Sequence, residues 1–340
     1  MIARSNAPPP TISAGRMQPV ARFAWLALAY NIAVMVWGAY VRATGSGAGC
    51  GNHWPLCNGS VLPSAPQIQT AIEFLHRVTS GLAVILVASL AVWCWRKTSK
   101  GDWPRYSAVL AMVLLLNEAL LGALLVVFNH AAQDGATGHA ILLCLHFGNT
   151  LLLIASLSLT ARWLSDDKRS FALTAKPREL VMIGLGLAIV MTIGITGSLA
   201  AFGDMISPPT SLQASLTQDF SSSSHYLLRL RLLHPVTAAL GAVYIFWIML
   251  TNLSRQVHAS RTRSLLIGTL ILQGGLGAMN VVLLAPIWLQ ITHLVVADLF
   301  WILLVFASAD VALMYREFPQ EVQPMQATEP SRDLERGLSS

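Results

Sequence analysis

Eight stretches of this chain are long and apolar enough to cross a bilayer, and that limits what it can fold into before any motif is considered. A spanning helix needs about 20 mostly apolar residues, and the qualifying segments run over about 23–41, 71–95, 106–128, 139–161, 179–201, 228–251, 264–284 and 288–314. Hydrocarbon offers no partner to a backbone N–H or C=O, so segments of this length are predicted as α-helices. Composition agrees: 11% of the 340 residues are charged and 54% hydrophobic, against roughly 25% charged in a soluble domain. The first segment is longer than a signal-peptide core and lacks a small-residue cleavage site, so it is read as a retained span.

The formal net charge of +6 invites a nucleic-acid reading, but the basic residues are placed to orient a membrane protein. Arg96, Lys97, Lys100 and Arg105 lie between the second and third segments, and a run from Arg162 to Arg178 lies between the fourth and fifth. Arg255, Arg261 and Arg263 lie between the sixth and seventh; Arg4, Arg16 and Arg22 precede the first, and Arg316, Arg332 and Arg336 follow the last. These are alternate connections, so the positive-inside rule predicts a multi-pass protein with both termini cytoplasmic. The tails, 1–22 and 315–340, are polar, Pro-rich or charged, and carry no motif. The first has Arg and Ser but no acid, as a mitochondrial presequence does, yet its prolines and shortness point to a bacterial inner membrane. Arg42, Arg77, Arg229 and Arg231 are left on the far side and need another explanation.

An internal repeat organises the chain. His76-Arg77-Val78-Thr79 parallels His234-Pro235-Val236-Thr237, Glu118 to Ala123 parallels Gln273 to Ala278, and Leu145-His146 parallels Thr292-His293, at offsets of 158, 155 and 147 residues. A unit of four helices thus occurs twice, at 23–161 and 179–314, with a basic linker at 162–178. Four is even, so both copies enter the membrane in the same sense. The predicted fold is all-α, two four-helix bundles related by a pseudo-twofold axis along the membrane normal. Two long loops, 42–70 and about 202–227, sit above the second and sixth helices.

At 1.5 Å per residue His76, His146, His234 and His293 lie about 8 to 11 Å inside their helices, all from the same face. One histidine alone is better read as making an interhelical hydrogen bond. Four at one depth, two per bundle, point to heme iron held between facing helices. Heme propionates would also explain Arg42, Arg77, Arg229 and Arg231 at the outer mouth; the alternative is arginines reaching lipid headgroups. His53, His130, His139, His225 and His258 fall in loops or helix mouths and are read as solvated or lid residues.

The two copies differ three residues before their first histidine, where one has Glu73 and the other Arg231. Residues three apart share a helix face, so the difference suggests one reacting and one electron-transfer site, although Glu73 is also placed for a salt bridge to Arg77. Glu118 and Asp298 lie within spans, as polar contacts or in proton movement. Cys50 and Cys57 flank Trp54-Pro55 in the first long loop, on the oxidising side of the predicted topology. Closing so short a loop contributes roughly 2.5 kcal/mol, and structural and redox roles both stay open. Cys94 and Cys144 are read as packing residues.

Together, Val41-Arg42-Ala43-Thr44-Gly45-Ser46-Gly47, the Cys50 and Cys57 pair, Glu73-Phe74-Leu75-His76-Arg77, Leu145-His146, Leu233-His234-Pro235, Leu272-Gln273 to Leu276-Gly277 and Thr292-His293 resemble the heme A synthase family, bacterial type, over about residues 23–314. The resemblance implies an oxidoreductase that turns a ring methyl of heme O into the formyl group of heme A for terminal oxidase assembly. It implies that His76 and His146 hold the substrate heme with Glu73 acting at it, and that His234 and His293 ligate a heme b. It implies a heme O synthase as donor, with a homo-oligomer as a further possible partner. Some members carry a second cysteine pair in the third outer loop, and residues 202–227 have none. The rival reading is a diheme cytochrome b exchanging electrons with quinol.

Overall fold

A computed structural model describes residues 17–64, 66–128, 132–166, 171–208, 210–251 and 259–315. Among these are ten α-helices: α1 Gln18–Ala43, α2 Ile68–Lys97, α3 Trp103–Val127, α4 Ala132–Ser165, α5 Pro177–Ile206, α6 Leu212–Phe220, α7 Tyr226–Arg229, α8 Leu233–Thr251, α9 Ala259–Val282 and α10 Ile287–Ala312. A 3₁₀ turn, Leu230–Leu232, joins α7 to α8 in one composite span. Eight segments are long and apolar enough to cross a membrane: α1, α2, α3, α4 from Thr137, α5, Tyr226–Leu250, α9 from Arg261, and α10. The protein is an all-helical, multi-pass membrane protein.

Local chemistry sets where these helices begin and turn. Proline occupies the first turn of α1, α3 and α5, where its missing N–H removes a donor that has no intrahelical partner. At α5 the Lys176 amide donates to Glu179 Oε2 at 2.9 Å, closing the start of the helix. Between α9 and α10 the chain reverses through Leu284 and Ala285, both with positive φ (59° and 52°). That turn is held by Ala285 N donating to Asn280 O at 2.7 Å and by Gln290 Nε2 donating to Ala285 O at 2.6 Å.

Helix α1 packs on α2, α4 and α10; α3 packs on α4, α5 on α8, and α9 on α10. α4 and α10 also meet each other and α5, so α1, α4, α5 and α10 form the centre where the two sets of four spans join. The Trp301 indole of α10 donates to Leu151 O of α4 at 2.8 Å across that seam. The most buried cluster lies toward the basic ends of the helices, with Val20, Ala24 and Ala27 of α1, Val87 and Leu90 of α2, Leu157 and Ala161 of α4, and Trp301 and Leu304 of α10. The histidine-bearing ends lie outside it. At the basic end Arg105 stacks on Trp95 at 3.6 Å and Arg162 pairs with Asp310 at 2.7 Å, as interfacial aromatics and cations do.

Three expectations need adjusting. Residues 18–22, expected in the tail, already belong to α1. The loop expected over 202–227 is largely helical: α5 runs on to Ile206, and α6 and α7 follow. Ser211 accepts the Ala214 amide at 3.1 Å to cap α6. The basic linker contributes a strand, β1 Phe171–Leu173, which pairs antiparallel with β2 Leu313–Tyr315 just beyond α10. Both far tails, His130 and His258 lie outside the described residues.

Candidate functional site

Counting from the first residue of each span, His76 is eight residues in, His146 nine, His234 eight and His293 six. At 1.5 Å per residue these depths are roughly 9 to 14 Å, one level near the end that carries the two long loops. All four side chains are half-buried. Each lies against a glycine of the preceding span. A Cβ at Gly38 of α1 would stand 3.0 Å from His76 Cε1, and one at Gly122 of α3 would stand 3.7 Å from His146 Cε1. At Gly197 of α5 and Gly277 of α9 the distances to His234 Cε1 and His293 Cε1 would be 3.0 and 3.3 Å. At Gly38, Gly197 and Gly277 the imidazole stands closer than an added carbon would ordinarily allow, whereas at Gly122 the contact is an ordinary one.

The ring centroids of His234 and His293 are 6.3 Å apart with planes at 87°. His234 Nδ1 is 3.1 Å from Ile193 O; a carbonyl only accepts, so Nδ1 carries the proton and Nε2 keeps its lone pair. His293 Nε2 meets Gln273 Nε2 at 3.1 Å. In the other set of spans His146 Nε2 is 3.4 Å from Glu118 Oε1. Glu118 is itself held from α4, accepting from Asn149 Nδ2 at 2.5 Å on one oxygen and from the Thr150 hydroxyl on the other. The Nδ1 atoms of His76, His146 and His293 are buried without a hydrogen-bond partner among the described residues.

Above the histidines both long loops are fastened by buried ions. Glu73, 3% exposed, accepts from Arg77 Nη2 at 2.6 Å and Nε at 3.1 Å, and from the Cys50 amide at 2.7 Å. Arg77 Nη1 donates in turn to the carbonyls of His53 and Leu56, each at 2.7 Å. Cys50 and Cys57 form a disulfide and both are buried. Gly49 is required beside it, because a Cβ there would lie 2.5 Å from the Gln69 backbone. At the other loop Arg231 reaches Asp219 Oδ1 of α6 at 2.7 Å, Asp204 Oδ1 of α5 at 3.0 Å and Gln218 Oε1 at 3.2 Å. The Glu73 and Arg231 positions thus do one structural task with opposite signs: each draws its loop onto the helix below.

Of the outer arginines, Arg77 and Arg231 spend their donors within the protein and Arg229 is exposed. Arg42 differs, with a buried Nη1 that has no partner among the described residues. His139 stacks on Phe202 at 5.0 Å, and His225 caps α7 by accepting the Leu227 amide at 3.3 Å. Asp298 is 1% exposed with neither carboxylate oxygen partnered among the described residues. Sequence reasoning aligned Gly122 with Gly277 and Glu118 with Gln273 in the repeat without giving the glycines or Gln273 a role, and it passed over Gly38 and Gly197. Extending the repeat to the first and fifth spans would have found that last pair, because Gly38 and Gly197 are 159 residues apart, close to the 155 that separate Gly122 and Gly277.

Residues 21–305 match the model of the COX15-CtaA family, described as cytochrome oxidase assembly protein. The chain belongs to this family. A Thermus thermophilus protein named protoheme IX farnesyltransferase is 40% identical over 293 residues, covering 85% of this chain and 48% of that protein. Heme A synthases of Bacillus licheniformis and Halalkalibacterium halodurans are 38% and 41% identical over 156 and 136 residues, covering 45% and 40% of this chain and 49% and 43% of theirs. The chain spans about half the length of these curated relatives. In this member of the COX15-CtaA family, the His234 and His293 ring centroids stand 6.3 Å apart. With metal–imidazole bonds of about 2 Å, rings on opposite sides of one ion have centroids roughly 6 Å apart. Among the described residues no group of three or more His, Cys, Asp or Glu is placed to hold a metal ion.

Proposed function

We propose that this protein is a heme A synthase, oxidising a ring methyl of heme O through the alcohol to the formyl group of heme A. The observation that carries the reading is the recurring unit of one histidine against one glycine, four times at one level, with one pair spaced for a single metal ion. His76 and His146, in the half formed by 23–161, hold the substrate; His234 and His293, in the half formed by 179–314, hold a heme b. The matching glycine contacts support two copies of one unit about an axis along the membrane normal. Arg42 supports heme further, because its buried, unpartnered Nη1 suits a propionate. The heme A synthases among the relatives support the reaction.

Bound heme b supplies one-electron transfer. The chain's own residues position and shield: the glycines admit the imidazoles, the two ion clasps hold the loops over the histidine level, and the core beneath excludes water. Glu73 acts at the substrate methyl, where a carboxylate accepts a proton or stabilises developing positive charge. Arg77 and the Cys50 amide fix its position. Heme O must come from a farnesyl transfer to protoheme, and the Thermus relative's name supports a heme O synthase as donor. The basic loops support an inner-membrane protein with both termini cytoplasmic, delivering heme A to terminal oxidase assembly.

A diheme cytochrome serving quinol would use the same histidines, and the finding that Glu73 and Arg231 both clasp loops suits it equally well. Extracting hemes from cells that make heme O, with and without this protein, separates the two. Heme A appearing only with the protein is expected. Unchanged heme O with a new low-spin heme b signal would favour the cytochrome.

A further inference from the structure

Helix α6 is fastened to the protein on one side and left apolar on another. Arg231 Nε donates to Asp219 Oδ1 at 2.8 Å and its Nη2 donates to Gln218 Oε1 at 3.2 Å, so the side that carries these two residues faces the span beneath. Leu212, Leu216 and Phe220 recur at intervals of four and share a different side. They are 41%, 44% and 73% exposed, on a helix of nine residues. Between positions 207 and 225 the one Asp, Glu, Lys or Arg is Asp219, and Arg231 already holds it. No carboxylate or cation is therefore left on the open side of α6 to favour water or to pair with a charged partner.

The clasp also sets the height of α6. Arg231 lies five residues inside the span Tyr226–Leu250, roughly 8 Å below its outer end. Its other acid, Asp204, is in the last turn of α5. That span has 25 residues and is about 38 Å long, against about 30 Å of hydrocarbon, so its end stands only about 4 Å beyond the hydrocarbon. A helix tied to Arg231 is kept at the level of the lipid headgroups. Five residues at each end join it to the two spans, whose adjoining side chains Met205, Ile206 and Tyr226 are exposed as well. The open side of α6 thus continues the surface that the spans present to lipid.

We propose that α6 is an interfacial helix whose Leu212, Leu216 and Phe220 side is seated in the bilayer leaflet at the histidine end of the spans, where headgroups meet acyl chains. Lipid is the partner, and apolar burial, not charge, makes the contact. The second long loop is then held from two sides, by Arg231 within the protein and by the membrane outside it. The inference does not depend on what the histidines bind.

A nitroxide label placed in turn at Leu216→Cys, Phe220→Cys and Thr217→Cys tests this, in the full-length chain with Cys94 and Cys144 replaced by Ala, in phosphatidylcholine nanodiscs. Thr217 is also exposed and lies about 100° round the helix from Leu216. Collisions with oxygen, which concentrates among acyl chains, are compared with collisions with a water-soluble nickel chelate. The oxygen-to-nickel ratio is expected to be severalfold higher at Leu216 and Phe220 than at Thr217. A ratio at either position no higher than at Thr217 overturns the proposal. Few collisions with both reagents at Leu216 and Phe220 would mean that protein covers them, a second copy or another chain, and would overturn it too. If the Leu216→Cys chain does not fold, Phe220→Cys, at the most exposed of the three apolar positions, decides alone.

Discussion

Gly197 and Gly38 hold their places because an imidazole sits where their side chains would be. Gly197→Ala should push His234 aside at an overpacking cost of about 1–3 kcal/mol, and the low-spin heme recovered per protein should fall roughly tenfold. Gly81→Ala, with nothing within 4 Å of the added carbon, should leave it unchanged. Equal retention in both variants would mean that the glycine contact does not shape the site. Glu73 needs a paired test because it clasps a loop and is also proposed to act at the substrate. Glu73→Gln should lower heme A yield by on the order of a hundredfold, with heme O or the alcohol accumulating. Arg77→Gln breaks the clasp but keeps the carboxylate and should cost far less; equal losses would leave Glu73 a structural partner of Arg77. The histidines were legible in sequence because polar residues stand out in a span and recur in corresponding helices of the repeat. Their partners were not: Glu118 reaches His146 across a helix interface, and a glycine gives no signal of what fills the space beside it.

The spans were legible as elements because hydropathy over about 20 residues leaves little choice in a bilayer. Helix α6 was not, since its polar surface reads as loop and what orders it is distant in sequence: Arg231 binding Asp219 and Asp204. The strand of the linker was invisible for the same reason, its partner lying far along the chain at Leu313–Tyr315. Arg231→Met should strand two acids beside each other. Breaking such a pair costs about 3–5 kcal/mol when it is buried, so hydrogen exchange over 211–225 should quicken while α2 and α3 stay protected. Unchanged exchange there would show that the loop is held by something else. The disulfide, expected with an open redox role, is buried and seated on the Glu73 carboxylate through the Cys50 amide. That is a fastening for the first loop.

As a whole, the molecule packs its apolar core toward the basic ends and brings four histidines to one level at the other. Orientation follows from charge: tags after Lys100 should report the cytoplasm, and tags after Val61 or Ser215 the opposite face. One reversed site would break the common level on which the account depends. The most direct measurement of the central claim supplies heme O to membranes containing the protein and follows the extracted hemes by chromatography. The account predicts that heme O passes through an alcohol to heme A, that His76→Ala abolishes conversion while keeping low-spin heme b, and that His234→Ala loses that heme b. Heme A formed at an undiminished rate by His76→Ala would contradict it.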